Sequence, residues 1–157
     1  MIMIDKTNAI LGFNGEYSFL SNMYSCEVIH RDRLFPSSEH AYIYERCDPW
    51  NNDLHEVYKK LLILSPKEAK KFGRNETIIT PAWDVIKKNK MYQIVYEKFS
   101  QNEDLKKKLI DTGDAYIEET NYWKDTYWGV CDGRGQNKLG EILMIVRNSL
   151  LLESVFK

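Results

Sequence analysis

Apolar and polar positions change their period several times along the chain, and each change marks an element. Ala9-Ile10-Leu11-Gly12-Phe13 is a short apolar run that leads into the turn pair Asn14-Gly15. Cys26-Glu27-Val28-Ile29-His30 alternates like a half-buried strand, and the polar turn Arg31-Asp32-Arg33 leads on to Leu34-Phe35. After Pro36 the pattern becomes helical. Ser37 or Ser38 can cap a helix running from Glu39 to about Cys47, which Asp48-Pro49 would stop. A second helix is expected from about Asp53 to Leu64. Ser65-Pro66-Lys67-Glu68 then supplies a cap, a proline at the first helical position and a capping-box glutamate, for a helix expected to end near Gly73. Thr80-Pro81-Ala82-Trp83-Asp84 repeats the start signal. Behind it Val85, Ile86, Met91, Ile94, Val95 and Phe99 fall near one face. Asn102 opens a short helix that Gly113 ends, and Ala115 to Glu119 reads as a strand. A Gly-rich loop from Gly129 to Gly135 precedes an amphipathic helix from about Asn137 to Leu152. With no internal repeat and no linker, residues 1–157 read as one α+β domain, helix-dominated with a small β-sheet.

Composition narrows the function more than the fold. Net charge is −1, from 22 basic and 23 acidic residues, so a protein that coats nucleic acid through its phosphates is disfavoured. A small basic pocket for one phosphate remains compatible. The ten Tyr, six Phe and four Trp permit pockets that stack on planar ligands. Cys26, Cys47 and Cys131 form no CxxC pair, and His30, His40 and His55 form no HExxH pattern, so neither a metal site nor a disulfide framework is expected. The N-terminal segment reads as no signal peptide, and no run approaches the roughly 18 apolar residues of a membrane span. The expectation is a reduced cytoplasmic protein. Lys outnumbers Arg and Asn and Ile are frequent, which hints at an AT-rich bacterial or phage genome.

Four segments could carry chemistry. In Phe35-Pro36-Ser37-Ser38-Glu39-His40-Ala41-Tyr42, Glu39 falls in a first helical turn, where the macrodipole favours negative charge. A carboxylate held there can stabilise a developing cation or orient water; a capping glutamate turned to solvent is the plainer reading. His40 reads more readily as packed than as catalytic. Asn121-Tyr122-Trp123-Lys124-Asp125-Thr126-Tyr127-Trp128-Gly129 sets one aspartate among two tyrosines and two tryptophans, either a binding loop or a core cluster with a turn aspartate. Asp132-Gly133-Arg134-Gly135-Gln136-Asn137-Lys138 could turn backbone amides on an anion, although it matches neither a P-loop nor a dinucleotide fingerprint and a plain turn capped by Asn137 serves as well. The polar, aromatic stretch from Gly12 to Tyr24, with Phe13 and Asn22, could present rings and amides to a ligand or be a surface loop.

Taken in order, these segments resemble the NADAR family, also called YbiA-like proteins. The resemblance lies in Gly15-Glu16-Tyr17-Ser18-Phe19-Leu20-Ser21-Asn22, Pro36-Ser37-Ser38-Glu39-His40-Ala41-Tyr42, Gly73-Arg74, Trp83, Lys98-Phe99, Gln101-Asn102, Thr112-Gly113-Asp114, Trp128-Gly129 and Gly135-Gln136-Asn137. It covers about Phe13 to Arg147. The family often carries a Gln and a Lys where this chain has Ile43 and Arg46, which puts substrate contacts from that helix face in doubt.

The resemblance implies cofactor-free hydrolysis of a bond from ribose C1′ to nitrogen. The substrate would be either a ribosylamino-pyrimidine phosphate of riboflavin synthesis or an ADP-ribosylated guanine of nucleic acid. It favours Glu39 and Asp125 as catalytic carboxylates. The substrate-binding residues it implies are Phe13, Asn22, Tyr24, His40, Trp83, Trp128, Gly133, Gly135 and Asn137. No membrane, metal or obligate protein partner is implied. The rival readings are a sensor that binds ADP-ribose without turnover and an interaction module whose tryptophans lie on an exposed face.

Overall fold

The computed structural model describes residues 6–156. In chain order its elements are β1 (Ala9–Leu11), a 3-10 turn (Gly15–Leu20), β2 (Val28–His30), β3 (Arg33–Phe35), α1 (Ser38–Arg46), α2 (Leu54–Leu62), α3 (Pro66–Glu76), α4 (Trp83–Gln101), α5 (Glu103–Asp111), β4 (Tyr116–Glu118), β5 (Thr120–Asn121), β6 (Val130–Cys131) and α6 (Lys138–Val155). Helices dominate, as expected. The small sheet is realised as three two-stranded pairs, β1 with β4, β2 with β3 and β5 with β6. Strands of two or three residues cannot bury a continuous face, so packing against helices holds them.

The chain divides into two compact units, 22–102 and 1–21 with 103–157. In the first, β2 and β3 form the expected hairpin, with Val28 opposite Phe35. α1 lies at the centre, packed on α3 and α4, and α4 covers β2. Every residue of α1 from Ser38 to Glu45 is buried, although the helix carries only a modest apolar face. Such a helix is stable only if each buried polar group finds a partner. Ala41 and Ile43 of α1 and Phe35, Leu61, Ile94 and Phe99 of its neighbours are the buried apolar residues here.

Local signals set most helix starts here. Ser37 is the N-cap of α1, accepting from His40 N, and Asp53 caps α2 through His55 N and Glu56 N. Ser65 and Glu68 form the complete capping box of α3, with Pro66 at its first position. One expectation is corrected. α3 runs through Gly73 to Glu76, because Gly73 is a contact point and no helix stop. A Cβ there would meet the Ile43 side chain at 2.7 Å and Arg46 Nη2 at 2.9 Å, so glycine is what lets α3 approach α1.

In the second unit β1 runs parallel to β4, with Ile10 opposite Ile117. The run from Ala9 stops at Leu11 because Gly12 takes φ +91°. α6 packs on β4 and α5 through Leu139, Ile142, Leu143, Val146 and Leu150, all buried. Arg147 is buried as well and donates through Nη1 to Ala115 O at 2.8 Å and Thr112 Oγ1 at 3.0 Å. The segment Gly15–Leu20 forms a 3-10 turn that buries Phe19 and Leu20.

Candidate functional site

Within residues 22–102 the predicted residues Asn22, Glu39 and His40 gather at the N-terminus of α1. Glu39 N donates to Asn22 O at 2.9 Å. Ser38 Oγ donates toward Asn22 Oδ1 at 3.0 Å, and Asn22 Nδ2 reaches Met91 Sδ at 3.4 Å. The loop before β2 is thereby tied to the first turn of α1 and to α4. Glu39 itself is 8 % exposed, which excludes the solvent-facing cap. A carboxylate so placed keeps its helix-terminus stabilisation and loses most of its water, so its charge acts at high field strength on whatever adjoins it.

His40 is held at both ring nitrogens. Its Nε2 lies 2.8 Å from Leu64 O, which requires Nε2–H, so Nδ1 accepts from Ser37 Oγ–H at 2.6 Å. Burial lowers its pKa, and that agrees with a neutral ring. Both ring nitrogens are thus used to brace α1 against the end of α2.

Trp83 opens α4, 7 % exposed, and its Nε1 donates to Tyr42 Oη at 3.2 Å with ring centroids 5.6 Å apart. Tyr42 stands three positions after Glu39, one turn along the same helix face. Glu39, Tyr42 and Trp83 therefore share a largely dry aromatic setting. The ring of Tyr24 lies 5.7 Å from the Nζ of Lys98. Lys98 is 1 % exposed, and burial depresses its pKa to about 8.

A second polar cluster in this unit escaped the sequence reading. His30 Nε2 pairs with Glu45 Oε2 at 2.8 Å and its Nδ1 with Glu97 Oε2 at 2.9 Å, while Lys90 and Arg31 also reach Glu45. Burial alone would lower the imidazole pKa, but the two carboxylates outweigh it and raise it to about 9. His30 and Lys90 hold Glu45 near 2 against the opposing effect of burial. His30 spans residues fifteen and sixty-seven positions away, a pairing that no local motif announces.

A raised histidine pKa gives stability that is complete below the unfolded value and lost as pH rises through the folded one. Thermal stability is therefore expected to fall between pH 6.5 and about 9, by an amount on the order of 3 kcal/mol. The Glu45 contribution is present above pH 4.5 and is lost as pH falls toward about 2. Melting curves of the wild type and His30→Gln from pH 6 to 10 check this. The variant should lose most of that alkaline limb, and an unchanged limb would refute the assignment.

Within residues 103–157, Asp125 organises the aromatic loop. Its Oδ1 accepts from Tyr127 N at 3.1 Å and Trp128 N at 2.9 Å. Asn121 brackets it, donating through Nδ2 to Asp125 O at 2.8 Å and accepting from Asp125 N at 3.1 Å. Trp128 is half-buried and meets Tyr127 edge-on at 4.8 Å. The loop is docked on the start of α6: Gln136 N, Lys138 N and Leu139 N donate to the carbonyls of Thr126, Tyr127 and Trp128.

That docking uses the Gln136, Lys138 and Leu139 amides, which could otherwise have turned on an anion. Arg134 N and Cys131 N close a tight turn on each other's carbonyls, with Gly133 at φ +73°. Gly135 approaches Gly129 O so closely that no Cβ fits. Asn137 is no side-chain cap; at φ +52° its amide donates to Ile117 O at 2.9 Å and accepts from Glu119 N at 3.0 Å. The structure gives Gly133, Gly135 and Asn137 scaffold roles. Phe13 is half-buried in this unit. A cavity of about 520 Å³ opens here, lined by Lys124, Thr126, Cys131, Asp132 and Arg134. Among the described residues no three His, Cys, Asp or Glu side chains are grouped to hold a metal ion, and no helix is long and apolar enough to cross a membrane.

The NADAR domain model matches residues 12–151. The chain belongs to the NADAR family. It is 36% identical over 136 residues to the riboflavin biosynthesis protein VVA0006 of Vibrio vulnificus, covering 85% of this chain but 36% of that relative. It is 27% identical over 156 residues to the N-glycosidase YbiA of Escherichia coli, with 97% of this chain and 93% of the relative covered. The NMR structure of E. coli YbiA superposes with a TM-score of 0.81 at 25% identity, covering 98% of this chain and 90% of that one. Membership of this family carries its enzyme class to the chain, a hydrolase of N-glycosyl bonds.

Proposed function

We propose that this NADAR protein hydrolyses the bond between ribose C1′ and a nitrogen. Its substrate is either a ribosylamino-pyrimidine phosphate or an ADP-ribosylated guanine, and Glu39 is the central carboxylate. The observation that carries the reading is the placement of Glu39. It is buried, sits in the first turn of α1, is pinned through its backbone by Asn22, and stands one turn from the Tyr42–Trp83 pair.

Departure of the nitrogen leaves an oxocarbenium-like sugar, and catalysis requires a fixed negative charge near C1′ and a directed water. Glu39 supplies the charge or the base for water, and the proton that the water gives up ends on the departing nitrogen, so that OH adds to C1′ and H to the nitrogen. The aromatic wall excludes bulk solvent, which strengthens that interaction. Asp125 is the second carboxylate of the proposal. Its Oδ1 already holds two amides, so any contribution to the chemistry runs through Oδ2.

Incubating the protein with each substrate, and following free base or free ADP-ribose by mass spectrometry, tests the reading and selects the substrate. Release from neither, with ADP-ribose still bound, would identify a sensor.

Asp125→Asn separates the two roles of that residue. Asparagine keeps a carbonyl oxygen that can accept from Tyr127 N and Trp128 N but removes the charge. The expected outcome is a melting temperature within a few degrees of wild type and a turnover lowered by at least about tenfold, in line with the range for a positioned acid or base. Wild-type turnover in a folded Asp125→Asn protein would leave Asp125 with its loop-building role alone.

A further inference from the structure

Arg46 ends the helix that carries Glu39, and one edge of its guanidinium has nothing to hold. Nε and Nη2 are both buried, and neither has a hydrogen-bond partner. These two atoms form the flat edge of the fork that meets a phosphate or carboxylate with two parallel N–H bonds. Arg46 also forms no ion pair among the described residues. A cation in the last turn of a helix ordinarily answers the helix dipole by bonding the last carbonyls or by standing in water. This edge does neither. Its surroundings at α3 are apolar: Nη2 and the Ile43 side chain close on one point above Gly73, where a Cβ would meet both within 2.9 Å. Burying a charge with two open donors is costly, and each such donor calls for an explanation. A water could take the donors but not the charge. An oxyanion satisfies both.

We propose that Arg46 is the anion anchor of the Glu39 site and takes a phosphoryl group of the substrate on its Nε–Nη2 edge. The inference rests on the proposed hydrolysis and adds a binding residue to it. Glu39, Tyr42, Ile43 and Arg46 follow at i, i+3, i+4 and i+7, so they share one face of α1. Seven residues are about 10.5 Å of helix, and an arginine side chain leans back toward the helix N-terminus, which shortens the gap that a ribose and its phosphoryl group must span. Arg46 is also tied to the aromatic wall. Its carbonyl accepts from Thr80 N at 2.9 Å, and Thr80 O accepts from Trp83 N at 3.2 Å. With an anion held at one end of the face and the carboxylate at the other, C1′ is indexed against Glu39. Arg46 is half-buried as a whole, so side-chain rotation can bring the fork to a ligand, and turning the open edge outward breaks no hydrogen bond.

Binding can be read without turnover. Inorganic phosphate at low millimolar concentration is the probe, and the melting temperature is the readout, for wild type, Glu39→Gln, Arg46→Lys and Arg46→Met. A ligand that binds only the folded state raises the melting temperature as its concentration rises. Phosphate should stabilise wild type and, at least as much, Glu39→Gln. It should stabilise Arg46→Lys less, since a point charge has no fork, and Arg46→Met not at all. Without phosphate, Arg46→Met is expected to melt no lower than wild type, because the substitution removes two unsatisfied donors. Initial rates complete the test on whichever substrate the wild type accepts. Arg46→Met should raise KM at least about tenfold with kcat little changed, since the phosphoryl group is held alike in ground and transition states. Inorganic phosphate should compete with substrate for the wild type. No stabilisation of wild type by phosphate, equal stabilisation of folded Arg46→Met, or an unchanged KM in that variant would each overturn the proposal. Stabilisation that depends on Arg46, with turnover of neither substrate, would keep the anion anchor and remove the hydrolysis.

Discussion

Replacing Glu39 with glutamine is expected to lower kcat by at least about a hundredfold, close to 2.7 kcal/mol of transition-state stabilisation, with KM little changed. Glutamine matches the volume and keeps hydrogen-bonding capacity, so packing around α1 is preserved and only the charge is lost. The carboxylate is 8 % exposed, so water screens it poorly and its interaction with a developing cation is large. The ground-state substrate carries no positive charge at C1′, which is why the loss falls on kcat. Initial rates on whichever of the two substrates the wild type accepts, beside a melting curve, decide the matter. A folded Glu39→Gln protein that turns over within a few fold of wild type would remove Glu39 from the chemistry. Glu39→Asp is a useful companion. It retains the charge but withdraws it by one methylene, and a displacement of about 1 Å can itself cost a hundredfold.

The second large effect is structural. Gly140→Ala is expected to destabilise the protein by about 3 kcal/mol or more, a fall in melting temperature of roughly 6 to 12 °C for a chain of this size. Helix propensity points the other way, since alanine inside a helix is favoured over glycine by about 1 kcal/mol. The surroundings reverse that sign. A Cβ at Gly140 would overlap Ile117 O of β4 and both polar atoms of the Asn137 side chain. Asn137 is the residue that holds β4 and Glu119 to the start of α6. The added methyl therefore pushes apart a helix and a strand and breaks the hydrogen bonds that link them. Gly133→Ala is the control: nothing lies within 4 Å of its Cβ, so only the strain of φ +73° is felt, about 1 kcal/mol. Thermal melts of both variants compare a collision with simple backbone strain, and equal losses would contradict the packing account.

Much of the candidate site was legible because its signals are local. A serine before Glu39 places that residue in a first turn whatever the helix packs against, and Asp125 beside Trp128 marks a loop rich in rings. The roles of the other expected residues were not legible. His40, Gly135 and Asn137 carry the residue types of ligand contacts, yet each is committed to a neighbour: His40 to Leu64 O, Gly135 to the Gly129 carbonyl, Asn137 to the backbone of Ile117 and Glu119. Tyr24 lies against Lys98. Glycine and asparagine before a helix look the same whether they serve an anion or a turn. The difference lies in which distant carbonyls claim their amides.

The sequence by itself determined where α1, α2 and α3 begin. The Ser65-Pro66-Glu68 box, the Asp53 cap and the Ser37 cap are hydrogen bonds closed within four residues, and no tertiary contact is needed to form them. It also determined the β2–β3 hairpin, whose turn joins adjacent segments. Tertiary structure decided the rest. It carried α3 through Gly73, because close approach to Ile43 and Arg46 outweighs glycine's cost in a helix. It paired β1 with β4, more than a hundred residues apart. It placed His30 between Glu45 and Glu97, and it buried α1 all round despite its polar residues. In each case the stabilising partner comes from a remote part of the chain, so the free energy that selects the arrangement exists only after the chain has folded.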